Sequence, residues 1–138
     1  MGHFQPAESP VSLQEQLPAT VDSVAAARRA VRRVAAGLEV DLDGIVLAVS
    51  EAVANVVAHA YAHEVEGTVE LSVATSPFEL TVVVSDRGRG LAGGAGTEGA
   101  GFGIEIIRRL AHHVELADTA QGVALTMRFR RGGAWSAR

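Results

Sequence analysis

Glu51, Asn55 and His59 recur four residues apart within an otherwise apolar stretch. That spacing lines one stripe of an α-helix, each step advancing about 6 Å along the axis. An amide oxygen such as that of Asn55 is a neutral, hard ligand suited to Mg²⁺, which keeps waters and substrate phosphates in its shell. A carboxylate one turn away, Glu51, suits polarisation of a hydroxyl or a water. Taken alone, the stripe reads more readily as exposed polar residues on a helix without a role. A second candidate is Ser85-Asp86-Arg87-Gly88-Arg89-Gly90, directly after an apolar strand. A carboxylate at a strand end can accept a hydrogen bond from an exocyclic amine such as N6 of adenine. Gly88 and Gly90 carry no Cβ and let the backbone approach a flat ring. The plain alternative is a polar turn. A third is Gly99-Ala100-Gly101-Phe102-Gly103-Ile104. Glycines that open a helix leave free amides uncovered, which makes an anion site; the alternative is a connector.

Elements that position these residues follow from the hydrophobic pattern. Residues 11–17 alternate as a first strand, broken by Leu17-Pro18-Ala19-Thr20. Thr20 or Asp22 is expected to cap a helix reaching about Gly37, with Val24, Ala27, Val31, Val34 and Leu38 on its apolar stripe. Arg28, Arg29, Arg32 and Arg33 cover its other side. A second helix, about 43–62, is apolar nearly all round and is expected to be buried. Strands at 68–74 and 79–85 flank a turn at Ser76-Pro77. Residues 86–103, with eight glycines, read as a loop. A short helix to about His112 follows, its histidines suited to the helix dipole. A last hairpin, 114–117 with 123–129, turns at Gln121-Gly122. Hairpin-linked strands with inserted helices predict a two-layer α/β sandwich, a mixed, mainly antiparallel sheet with helices on one face. The domain is expected over 11–131, between a flexible leader, 1–10, and a flexible tail, 132–138.

Composition narrows the classes. The 138 residues suffice for one domain that buries roughly 68% of its unfolded surface. No uninterrupted apolar run of about 18 residues marks a membrane span, and no signal-peptide pattern opens the chain. A cytoplasmic location and no membrane partner are therefore expected. There is no cysteine, which excludes disulfides and thiolate metal sites. His59 and His63 lie one turn apart without a third ligand at matching spacing, which disfavours zinc. Net charge is −4 and aromatics are 4%, against direct nucleic-acid binding. All twelve basic residues are arginine, which excludes a lysine-based phosphate loop.

The three motifs, in this order and with these intervening elements, resemble the GHKL ATPase superfamily of gyrase, a heat-shock chaperone, histidine kinases and MutL. Glu51 to Asn55 is similar to its N-box, Asp86 to Gly90 to its first glycine box, and Gly101 to Ile104 to its second. Within that group, Ser50-Glu51-Ala52-Val53-Ala54-Asn55 followed by His59-Ala60-Tyr61 resembles the bacterial anti-sigma factor serine kinases, over roughly residues 11–130. The resemblance implies ATP and Mg²⁺ as cofactors. Asn55 would ligate Mg²⁺ across the phosphates and Glu51 would be the general base toward a partner's serine. Asp86 would bind adenine, and Gly88, Gly90, Gly101, Phe102, Gly103 and Ile104 would form the pocket and its lid. It implies a sigma factor and an anti-sigma factor antagonist as protein partners, and a homodimer.

Two departures from the family pattern stand out. The ten residues between Gly90 and Gly101 contain no basic residue, with Gly99 where the family often has arginine. Gly122 is followed by Val123 and Ala124 rather than by a threonine that supports adenine. A serine-protein kinase, a non-catalytic ATP-binding switch and a stand-alone histidine-kinase-like ATPase domain are thus distinct outcomes of one fold.

Overall fold

The computed structural model describes residues 11–62, 67–87, 101–119 and 122–132. Among these, strand β1 (Val11–Pro18) leads into helices α1 (Asp22–Ala35) and α2 (Leu42–Ala62). Strands β2 (Thr68–Thr75) and β3 (Glu79–Arg87), helix α3 (Gly101–Leu110), and strands β4 (His113–Thr119) and β5 (Gly122–Arg130) follow. The sheet order is β1-β2-β3-β5-β4. Every pairing is antiparallel, the limiting case of the mainly antiparallel sheet expected.

Period-two alternation decides which face is covered. Val69, Leu71 and Val73 of β2, Leu80, Val82 and Val84 of β3, and Leu125, Met127 and Phe129 of β5 share one buried face. The helices pack on that face and complete the core with Ala27, Val31, Ile45, Val49, Val53, Val56 and Ile107. Burying each larger aliphatic side chain stabilises the fold by roughly 1.5–3 kcal/mol. The alternate residues Thr68, Glu70 and Ser72 face outward, half-exposed.

Several local expectations change. The cap of α1 is Val21, with no side-chain bond. The turn after β1 brings backbone carbonyls under the first amides instead: Ser23 N donates to Thr20 O at 2.9 Å and Val24 N to Val21 O at 3.2 Å. Ser23 Oγ also donates to Pro18 O. Helix α2 is not buried all round, since Leu47 is 46% exposed. Glu51 and Asn55 are half-buried on the same stripe. By length and composition, Leu42–His59 suffices to cross a bilayer, which the interrupted pattern did not suggest. Half of that window is buried in the domain, and the helix packs as a core element between α1, α3 and β3.

Strand β3 does not stop at Ser85. It continues through Asp86 and Arg87 because both pair with β2 at Val69 and Thr68 and with β5 at Val123 and Gly122. Helix α3 begins at Gly101, three residues before the expected start, and ends at Leu110. His112 and His113 therefore lie beyond its last turn and do not cap it. His112 N donates to Arg128 O at 2.9 Å, and His112 Nε2 lies 3.3 Å from Glu79 Oε1. Partial burial of the imidazole and the nearby Arg130 hold the His112 pKa below its ordinary value, while Glu79 opposes them.

Candidate nucleotide site

The stripe of α2 is held in place at the helix start and again midway along it. At its start, Asp41 Oδ1 accepts the Gly44 amide at 3.1 Å, and Asp41 O accepts the Ile45 amide at 3.0 Å. One residue before Glu51, Ser50 is 7% exposed. Its Oγ donates to Val46 O at 2.7 Å and accepts from Arg28 Nε at 2.8 Å. That bond pins α1 to α2 beside Glu51. It also engages Arg28, one of the four arginines on the other side of α1, although that residue stays exposed. Arg33 is likewise engaged, its Nη2 3.3 Å from Glu15 Oε2.

Asp86 is the one acidic residue buried on the core face among the described residues, 2% exposed. It continues the series Leu80, Val82, Val84 and stands in register between Val69 and Val123. A carboxylate in such an apolar wall is costly unless it is hydrogen-bonded, so its position implies a polar partner. Sequence reasoning missed its closest support, Gly122. A Cβ on Gly122 would overlap the Asp86 carbonyl oxygen and come 3.5 Å from Oδ2. Only glycine lets β5 start this close to the acid. The signal for it was the hairpin glycine itself, which reads as a turn residue until strand register places it beside Asp86.

Helix α3 brings the third motif to the same end of the sandwich. The packing of α3 on α2 shows this, with Gly103 set against Asn55. Gly103 is buried, and a Cβ there would stand 2.6 Å from Asn55 Nδ2 and 3.1 Å from Oδ1. The absent side chain makes room for the Asn55 amide at the head of α3. Helices α1 and α2 carry Asp22 and Asp43 in their first turns, whereas α3 has no acidic residue there. Its first-turn amides stand at the positive end of the helix dipole, where an anion is favoured.

Of the residues expected from sequence, Asn55 and Gly103 are in direct apposition, and Glu51 lies one turn before Asn55. Gly101 and Phe102 are in the first turn of α3. Ile104 packs half-buried against the core, so its backbone amide, not its side chain, faces the helix start. Gly88, Gly90 and His63 lie outside the described residues. Among the described residues, no three His, Cys, Asp or Glu side chains are grouped to hold a metal.

The sequence profile of the histidine kinase-like ATPase domain matches residues 17–129. The chain belongs to the histidine kinase-like ATPase family. Its GHKL-type fold, with an antiparallel five-stranded sheet and helices on one face, is an ATP-binding fold. Among solved structures, this ATPase domain is similar to the RsbU and RsbW domains of a Mycobacterium tuberculosis protein, with TM-score 0.68 and 27% identity over 91% of this chain. The match covers 33% of that longer chain. No curated protein sequence matches. For Mg²⁺, the donor set of this ATPase domain fits a metal held chiefly by nucleotide phosphates. One neutral amide, Asn55, beside a single carboxylate, Glu51, matches the sparse protein ligation that Mg²⁺ accepts.

Proposed function

We propose that this domain is an ATP-binding anti-sigma regulator acting as a serine-protein kinase in the cytoplasm. It would phosphorylate a small antagonist protein and sequester a sigma factor. The observation that carries the reading is the apposition of Asn55 to Gly103 at the head of α3, with Glu51 one turn away. Likeness to a structure containing an RsbW domain supports the assignment. Asp86 binds the adenine amine from within the sheet. The α3 amides would bind phosphate oxygens, and Asn55 would hold Mg²⁺. Mg²⁺ supplies charge neutralisation on the phosphates. Glu51 accepts the proton of the substrate serine as its oxygen bonds to the γ-phosphorus, and the bond to the departing ADP breaks. Phosphoryl transfer rests on such positioning and charge stabilisation.

A second reading, a non-catalytic ATP-dependent switch, is favoured by one feature. Residues 91–100 contain no arginine or lysine to stabilise charge on the transferring group. Incubation with labelled ATP and a candidate antagonist separates the two: label on a serine of the antagonist supports the kinase. ATP-dependent capture of partners without label supports the switch.

A further inference from the structure

Among the described residues, five large apolar side chains are exposed: Val11, Val21, Leu47, Phe78 and Leu116. Four of them sit where exposure is the ordinary outcome. Val11 opens β1, Val21 precedes α1, Phe78 is in the turn between β2 and β3, and Leu116 is on the edge strand β4. Leu47 differs. It lies inside α2, the helix packed between α1, α3 and β3, and is still 46% exposed. Val46 and Ala48 on either side of it are buried, so the orientation of α2 leaves this one leucine in water.

Its place on the helix defines what can meet it. Leu47 stands one turn before Glu51, as Glu51 stands one turn before Asn55. Asn55 lies against Gly103 at the head of α3, so the stripe meets another helix at that end and is open toward Leu47. Four helical residues advance about 6 Å along the axis. Two residues of an extended chain advance about 6.6 Å and return the side chain to the same face. The two repeats match. An extended segment that lays a hydroxyl beside Glu51 therefore sets the side chain two residues away over Leu47.

We propose that Leu47 selects the protein substrate, by favouring an apolar residue two positions from the serine that receives the phosphoryl group. The inference rests on the kinase reading above and adds a substrate class to it: a serine in an extended segment with an apolar side chain on the same face. Leu47 seats that segment and takes no part in the transfer itself. Contact between the exposed leucine and an apolar partner removes water from both, whereas an aspartate in that place loses hydration without gaining a partner. On an open helix face the discrimination should lie at the lower end of that in a hydrophobic pocket, roughly 10-fold.

The test uses the full chain, ATP labelled in the γ-phosphate, Mg²⁺ and a panel of short synthetic peptides. Each peptide carries a single serine and either leucine or aspartate two positions before or after it. The expected result is a roughly 10-fold higher kcat/KM for leucine than for aspartate at one of the two positions, carried by KM rather than kcat. Leu47→Ala should erase the preference. Leu47→Arg should reverse it in favour of aspartate, with both variants folded by circular dichroism. Damage to the fold lowers labelling of all peptides alike and cannot reverse a preference. Equal labelling of leucine and aspartate peptides by the wild type overturns the inference and leaves the kinase reading standing. So does a preference that Leu47→Arg leaves unchanged. Absence of label from every peptide removes the kinase reading, and this inference with it.

Discussion

Gly103→Ala tests the core of the site, because it separates stability from binding. The added methyl would stand 2.6 Å from Asn55 Nδ2, 3.1 Å from Oδ1 and 3.2 Å from Cγ. Nothing else heavy lies as near, so the carboxamide must turn away. That group is the free end of a half-buried side chain, and its rotation is cheap. Overpacking costs about 1–3 kcal/mol, while alanine in a helix gains up to about 1 kcal/mol over glycine. The net change in stability should therefore fall between neutral and a loss of about 2 kcal/mol. Binding should suffer more. Displacing an amide that contacts a charged ligand forfeits roughly 1.5–3 kcal/mol, or about 10–150-fold in affinity. Calorimetric titration with ATP in the presence of Mg²⁺, beside thermal unfolding, reads both quantities. ADP without metal should bind nearly as in the wild type. Unchanged Mg²⁺-dependent ATP affinity in a folded Gly103→Ala protein would refute the claim that Asn55 is placed by the missing side chain.

Other substitutions probe neighbouring parts. Gly122→Ala presses a methyl on the Asp86 backbone carbonyl, which cannot rotate aside; it should lower stability by about 1–3 kcal/mol in denaturant unfolding, more than Gly103→Ala does. Asp86→Ala should weaken nucleotide binding roughly 10–150-fold with the fold intact by circular dichroism, and equal affinity would exclude the adenine contact. Glu51→Gln should keep ATP binding and lose transfer by about 10²–10⁴-fold, as read by label on the antagonist. His112 has a lowered pKa in the fold. Its contribution to stability is present above the ordinary histidine value of about 6.5 and fades as pH falls below it toward the folded value. His112→Gln should flatten that part of the stability–pH curve, and an unaltered slope would assign the titration elsewhere. Arg29→Glu with Arg32→Glu, which spares the engaged Arg28 and Arg33, should slow partner association and blunt its salt dependence while ATP affinity holds.

The sequence pattern placed all the described strands and helices in the right order because their signals are local. Alternation exposed β2, β3 and β5, and helical spacing exposed α1. Boundaries near the site were harder. Asp86 reads as a loop residue by type, yet two-sided pairing with Val69 and Val123 carries the strand through it. Likewise Gly101 and Gly103 are poor helix formers, and it is the packing of Gly103 on Asn55 that rewards a helix start there. The Gly122–Asp86 contact spans distant positions and depends on strand register, which no short-range pattern specifies. Asn55 and Glu51 were legible because they interrupt an apolar helix. Leu47 on the same stripe was not, since nothing in its type distinguishes an exposed leucine from a core one.

Strand order also sets a timetable for synthesis. Leu17 of β1 pairs with Val69 of β2, so the strand made earlier waits roughly fifty residues for its partner, or about 3–10 s at typical elongation rates. The β2–β3 and β4–β5 hairpins close within microseconds of emergence. Through that interval β1 presents an unpaired ladder, an invitation to mispairing between nascent chains. Its sequence answers this: Gln14, Glu15 and Gln16 break up apolar surface, Pro18 removes a donor, and the register shift between Val11 and Leu13 bends the strand.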